Sequence, residues 1–166
     1  MNREILIIRH AKSSWDDPAL EDRDRPLAVR GERAAPLMGQ LIAHRDWLPE
    51  LIVSSVAKRA QQTARLLADA MGCAAGQVVT DGRLYVAGLA EWQEVIRDQP
   101  DDYRRIALVG HNPAIEQTAQ WLFPLQVRKV PTAAVIYGRF RVDSWLKADA
   151  LNAELVDFAT PKHIGA

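Results

Sequence analysis

Ile5-Leu6-Ile7-Ile8-Arg9-His10-Ala11-Lys12-Ser13-Ser14 is an apolar run that passes directly into an Arg-His pair and then into small hydroxyl residues. The run at 5–8 is continuous and mostly β-branched, the pattern of a strand covered on both faces. Runs of the same kind recur at 51–53, 78–79, 106–109 and 133–137. Between them the apolar residues keep a helical period. Ala34, Leu37, Met38, Leu41 and Ile42 form one stripe, and Ala57, Ala60, Ala64, Leu67, Ala68 and Met71 form a second. Gly72 follows the second stripe as a C-terminal stop. Its alanines predict close packing on the sheet. Ile115, Thr118, Ala119 and Leu122 make a shorter stripe, and a fourth helix is predicted over 89–97. Strands alternating with helices predict an α/β fold, a three-layer sandwich with a largely parallel central sheet flanked by helices. Residues 133–140 and 153–158 read as an edge hairpin, and 159–166 as a frayed tail.

The chain of 166 residues is one domain's length, so residues 1–166 are read as a single unit. With 48% hydrophobic and 25% charged residues, it is neither disordered, collagenous nor a coiled coil. Lys plus Arg equal Asp plus Glu at 21 each, so bulk charge points to neither nucleic acid nor a membrane. Cys73 is the only cysteine and makes no internal disulfide, which fits a reducing compartment. The apolar run at 5–8 is too short for a signal-peptide core or a bilayer span. The expectation is a soluble cytoplasmic protein.

Ligands of open α/β sheets bind beyond the carboxyl ends of the strands. Three such junctions carry unusual polar residues. The first is Arg9-His10. The second is Ser54-Ser55-Val56-Ala57-Lys58-Arg59, where Ser54 or Ser55 is expected to cap the following helix. Arg59 then falls in the first turn and opposes the helix dipole. Either a bound anion or an acidic neighbour would compensate it. The third is Gly110-His111-Asn112-Pro113, with Asn112 expected as N-cap and Pro113 as the first helical residue. Two guanidinium groups, two imidazoles and two helix N-termini suit a tetrahedral dianion, so the site reads as built for phosphate.

Other phosphate chemistries fit poorly. No G-x-x-x-x-G-K-[ST] loop is present. Cys73 is followed six positions later by Val79 rather than Arg, and no apolar strand precedes Asp22-Arg23-Asp24. His44 and His163 stand apart from the other pair, so no metal-ligand spacing forms and no metal or cofactor is expected. A metal-free route with histidine as nucleophile remains.

These segments resemble the histidine phosphatase superfamily, phosphoglycerate mutase-like in fold, and most closely its small SixA-type phosphohistidine phosphatases. Arg25-Pro26-Leu27-Ala28-Val29-Arg30-Gly31 is similar to that branch's R-P-L-x-x-x-G stretch, and the residues from Ser55 to Thr63 to its S-x-x-x-R-x-x-Q-T signature. The resemblance implies that His10 attacks phosphorus and becomes a transient phosphohistidine. It implies that Arg9, Arg59 and His111 bind the phosphoryl oxygens, with Arg25 and Asn112 as outer contacts. His10 must then be neutral, with its second nitrogen donating to a backbone carbonyl, while His111 is open to becoming cationic beside the dianion. Ala11 stands where the superfamily usually has glycine. Larger members use a carboxylic acid to protonate the leaving oxygen. Glu91 and Glu94 lie in about the right stretch for that proton donor, though no motif fixes either. An imidazole leaves more easily than an alkoxide, and the short chain has no long insertion to form a lid. Both features favour a phosphohistidine-containing protein as substrate. The alternatives are a broad phosphomonoesterase or mutase acting on small phosphorylated metabolites, and a non-catalytic phosphoprotein-binding module. Trp15 is a candidate for the mouth of the site.

Overall fold

A computed structural model describes residues 1–164. Among them are six strands: β1 (Arg3–Arg9), β2 (Leu51–Ser54), β3 (Val78–Thr80), β4 (Arg105–Gly110), β5 (Val135–Phe140) and β6 (Ala153–Ala159). The helices are α1 (Val29–His44), α2 (Lys58–Met71), α3 (Leu89–Arg97) and α4 (Ala114–Leu122). The strands form one sheet in the order β3-β2-β4-β1-β5-β6. From β3 to β1 the pairing is parallel, and β5 and β6 add the antiparallel edge hairpin. This is the expected α/β architecture with a largely parallel sheet.

Strand parity explains the continuous apolar runs. Ile5 and Ile7 join a core with α3 and α4, whereas Leu6 and Ile8 join another with α1 and α2. In β4, Ile106 and Leu108 part from Ala107 and Val109 in the same way. Each fully buried aliphatic side chain stabilises by about 1.5–3 kcal/mol, so neither layer peels away cheaply. Small residues bring α1 onto α2: a Cβ on Gly39 would stand 2.9 Å from the Leu67 carbonyl oxygen. Gly72 ends α2 in the left-handed region at φ 74°, as the stop signal predicts.

The register decides where chemistry can occur. Arg9 lies opposite Gly110, and Ser54 opposite Val109, so β1, β4 and β2 end level with one another. Residues far apart in sequence therefore meet at one edge of the sheet.

Two boundaries differ from expectation. β5 begins at Val135 rather than at 133, because Ala133 takes φ 63° and donates its N–H to the carbonyls of Arg9 and His10. The expected tail is largely structured: Ala159 closes β6 and Pro161–Ile164 forms a 3-10 turn, leaving 165–166 outside the described residues.

Candidate active site

His10 follows β1 directly and is only 7% exposed. Its backbone N–H donates to Gly110, extending the β1–β4 pairing one residue beyond the strand. The Nδ1 atom lies 2.7 Å from the Ala11 carbonyl oxygen. A carbonyl only accepts, so Nδ1 carries the proton and Nε2 keeps a free lone pair. Burial, with the positive surroundings of His111, Arg59 and Arg9, lowers the His10 pKa from 6.5 to about 3. Ala11 donates to the Thr63 hydroxyl, which donates to the Arg59 carbonyl, tying this segment to α2.

The His111 ring centroid is 5.0 Å from that of His10. His111 Nε2 stands 2.8 Å from Ser55 Oγ. Ser55 Oγ already accepts from the Ala57 N–H, so its own proton is available to His111 Nε2. Burial first, then Arg59, lowers the His111 pKa to about 4, so the ring is neutral near pH 7. Where Ser55 donates to Nε2, Nδ1 carries the hydrogen. That Nδ1 is buried without a hydrogen-bond partner, and so is Arg9 Nε. Buried donors are normally satisfied, and an idle polar atom on each of two residues whose electrostatic influence reaches His10 suits an anion.

The two arginines are held differently. Arg9 donates through Nη1 to the Val130 carbonyl, and Asn112 Nδ2 donates to the same oxygen. Val130 in turn donates its N–H to Glu116. Arg59 instead meets a carboxylate: Nη2 is 3.0 Å from Asp22 Oδ2 and Nη1 donates to the Asp22 carbonyl. Asp22 also accepts from Arg25 and from the Tyr85 hydroxyl. Burial would raise the Asp22 pKa, but Tyr85 and Arg59 outweigh it and hold the carboxyl at about 2. The acidic neighbour expected for Arg59 is Asp22.

Several expectations need correction. Ser54 does not cap α2, because its hydroxyl donates to the Ser55 carbonyl. Ser55 does not cap it either: its hydroxyl accepts from the N–H of Ala57, the residue before α2, which starts at Lys58. Asn112 does not cap α4: Pro113 is the residue before the helix, Ala114 begins it, and the buried Asn112 Oδ1 accepts no hydrogen bond while Nδ2 donates to Val130. Arg25 is not a free phosphate contact. Its guanidinium is committed to Ser13, Ser14 and Asp22, with the exposed Trp15 ring stacked 3.2 Å away at the rim. Glu91 caps the start of α3 by accepting from the Gly88 N–H, and Glu94 pairs with Arg83. Among the described residues no hydrogen bond joins either glutamate to His10, Arg9, Arg59 or His111.

The motif positions acquire physical reasons. Gln62 accepts from the Leu27 N–H, fixing the Arg-Pro-Leu stretch against α2. At Gly31 a Cβ would stand 2.2 Å from the Lys12 carbonyl oxygen, so only glycine lets α1 approach the segment after His10. Tyr85, Val130 and Glu116 escaped the sequence reading, and Asp22 entered it only as a carboxylate set aside for want of a preceding strand. Only Asp22 left a signal, its i,i+3 spacing to Arg25. Among the described residues, no group of three or more His, Cys, Asp and Glu side chains could hold a metal ion, and no helix is long and apolar enough to cross a membrane.

Comparison with known proteins identifies the family. The profile of the histidine phosphatase superfamily (branch 1) matches residues 5–107. A chloroplast protein of Arabidopsis thaliana, itself uncharacterised, is 31% identical over 160 residues, covering 92% of this chain and 73% of that one. A candidate phosphohistidine phosphatase SixA from Agrobacterium tumefaciens superposes with TM-score 0.82 at 27% identity, over 96% of this chain and 98% of that one. Its counterpart from Nakamurella multipartitia gives TM-score 0.77 at 28% identity, over 97% of each chain. A buried neutral imidazole and level strand ends thus occur in a chain that belongs to the histidine phosphatase superfamily, in its SixA-type branch, with the role of a phosphatase.

Proposed function

We propose that the protein removes phosphoryl groups from phosphohistidine in a partner protein, through a phosphohistidine intermediate on His10 and without a metal. In the first step the His10 Nε2 lone pair forms a bond to phosphorus. The bond from phosphorus to the substrate's imidazole nitrogen breaks, and the electron pair stays on that nitrogen. With its far nitrogen protonated, the substrate ring departs as neutral imidazole. In the second step water attacks the phosphorus on His10, releasing phosphate and regenerating the neutral ring. Arg9, Arg59 and the Nδ1–H of His111 supply the charge and donors that the equatorial oxygens require. Ser55 is a positioning residue that keeps the His111 proton on Nδ1.

The observation that carries this reading is the Nδ1 bond from His10 to Ala11, which leaves Nε2 unprotonated on a ring whose centroid lies 5.0 Å from that of His111. The substrate class is supported by Asp22. It is the carboxyl group bonded to Arg59, and at a pKa of about 2 it is ionised and donates no proton. An alkoxide departing without an acid forgoes an effect of about 10²–10⁴-fold, whereas an imidazole loses far less. Phosphate release from a phosphohistidine peptide, a phosphoserine peptide and 3-phosphoglycerate, measured side by side, tests the choice. The phosphohistidine peptide is expected to turn over faster by about 10²-fold or more. Equal or faster release from 3-phosphoglycerate would replace this substrate class with small phosphomonoesters. Tight binding without phosphate release would leave a binding module instead.

A further inference from the structure

Beside the site, and sharing Arg9 with it, runs a groove of about 940 Å³ between α1, the loop before β5 and the C-terminal 3-10 turn. Its floor is aliphatic, with Ala34, Leu37 and Val130 among the lining residues. Its rim carries Lys12, Arg30, Arg33, Lys129 and Lys162, all exposed. Among the described residues, no ion pair within 4.0 Å engages any of these five cations, although arginines elsewhere pair with carboxylates, as Arg45 does with Asp157 and Arg97 with Asp149. The one carboxylate among the lining residues, Glu116, is turned onto the Val130 N–H. In a chain with equal numbers of cations and anions, this is a concentration of unmatched positive charge.

We infer that this groove seats an acidic, amphipathic segment of the phosphorylated partner, its apolar side chains on Leu37 and Val130 and its carboxylates against the rim cations. The inference rests on the proposed action on a phosphoprotein and adds the chemistry of the partner. Charge complementarity sets the sign of the ligand, and the floor sets its kind. An aliphatic floor offers nothing to the hydroxyls of a sugar phosphate. A nucleic acid would look for aromatic stacking, and none of the groove's lining residues is aromatic. The position suits a segment near the reacting residue in the partner, because Arg9 lies at once in the groove and beside His10.

The test uses two fluorescein-labelled helical peptides without phosphate, one with a Leu face and a Glu face, the other with Lys in place of Glu. Anisotropy is read on the full chain, on Arg30→Glu/Arg33→Glu, and on Arg65→Glu/Arg104→Glu, which makes the same charge change on exposed residues outside the groove. The Glu peptide is expected to bind and the Lys peptide not to. Its Kd should rise about tenfold or more in the groove variant, stay within about twofold in the other, and weaken with added salt. No binding, equal binding of both peptides, or equal loss in both variants overturns the assignment. These peptides carry no phosphoryl group, so a negative result is distinct from a failure to release phosphate. In a second arm, phosphohistidine is placed next to the Glu segment. There kcat/KM should fall about tenfold in the groove variant while turnover of free phosphoramidate holds. An unchanged kcat/KM would place the partner's segment elsewhere.

Discussion

Arg9 and Arg59 flank the same imidazole and are supported in opposite ways. Arg9 leans on a neutral backbone carbonyl and keeps a buried N–H idle, whereas Arg59 is already matched by the carboxylate of Asp22. The same contrast separates the floor of the site from its rim. On the floor, neutral His10 and His111 are pinned by a backbone carbonyl and by a buried serine hydroxyl. At the rim, Asp22 is half exposed and gathers Arg25, Arg59 and Tyr85 into a charged cluster. A preorganised floor supplies fixed dipoles at no reorganisation cost as charge develops. A rim carboxylate sets the arginine's direction while repelling the arriving dianion.

The predictions probe that division from its strongest consequence to its weakest. His10→Ala should lower phosphate release by about 10³-fold or more with circular dichroism unchanged, because the attacking nitrogen itself is removed. Wild-type rates in that variant would end the covalent reading.

Acid should weaken the floor. His10 and His111 have folded-state pKa values of about 3 and about 4, below the ordinary 6.5. Above pH 6.5 both stay neutral whether folded or not. Below it the unfolded chain takes up protons that the native site refuses, so stability is full above pH 6.5 and erodes as the pH falls toward the folded values. The urea midpoint should therefore drop between pH 7 and pH 5, with both rings remaining neutral by NMR in the folded protein. A midpoint independent of pH over that range would contradict the depressed values. Inorganic phosphate should raise the His111 pKa by setting a dianion beside it.

Ser55→Ala should lower kcat by about tenfold with little change in KM, since only the proton's place on His111 is lost. The 15N shifts of His111 should report mixed tautomers, and Ser55→Thr should restore both readouts. Normal shifts in the alanine variant would reduce Ser55 to packing. At the rim, Asp22→Asn should tighten inhibition by inorganic phosphate about threefold while lowering kcat by a similar factor, because repulsion is relieved and Arg59 is less firmly aimed. A change in kcat alone would leave Asp22 an orienting role only. Glu91→Ala should leave kcat within about twofold and cost about 1 kcal/mol of stability through the lost cap on α3. A large fall in kcat would return Glu91 to the site as an acid.

The floor was far more legible than the rim. His10, Arg9 and His111 stand at or just beyond strand ends, where a run of apolar residues stops, and a level register brings such ends together. Arg59 showed itself as a cation in the first turn of a helix. Asp22 and Tyr85 lie in irregular segments with no period, and only their convergence on Arg59 gives them meaning. Arg25 and Asn112 carried the right chemistry for phosphate, yet both are engaged by loop contacts. Arg25 bonds to Ser13, Ser14 and Asp22, and Asn112 to Val130.

Residue order alone determined the layers, the parallel sheet and the strand-end residues, because burial on both faces and helical period are local patterns that a chain displays along its length. What each polar group does with its hydrogen bonds was decided only in three dimensions. Whether a guanidinium is idle or matched, which hydroxyl meets the His111 ring, and where unpaired cations line a groove all depend on atoms tens of residues away in the chain, which no local pattern encodes.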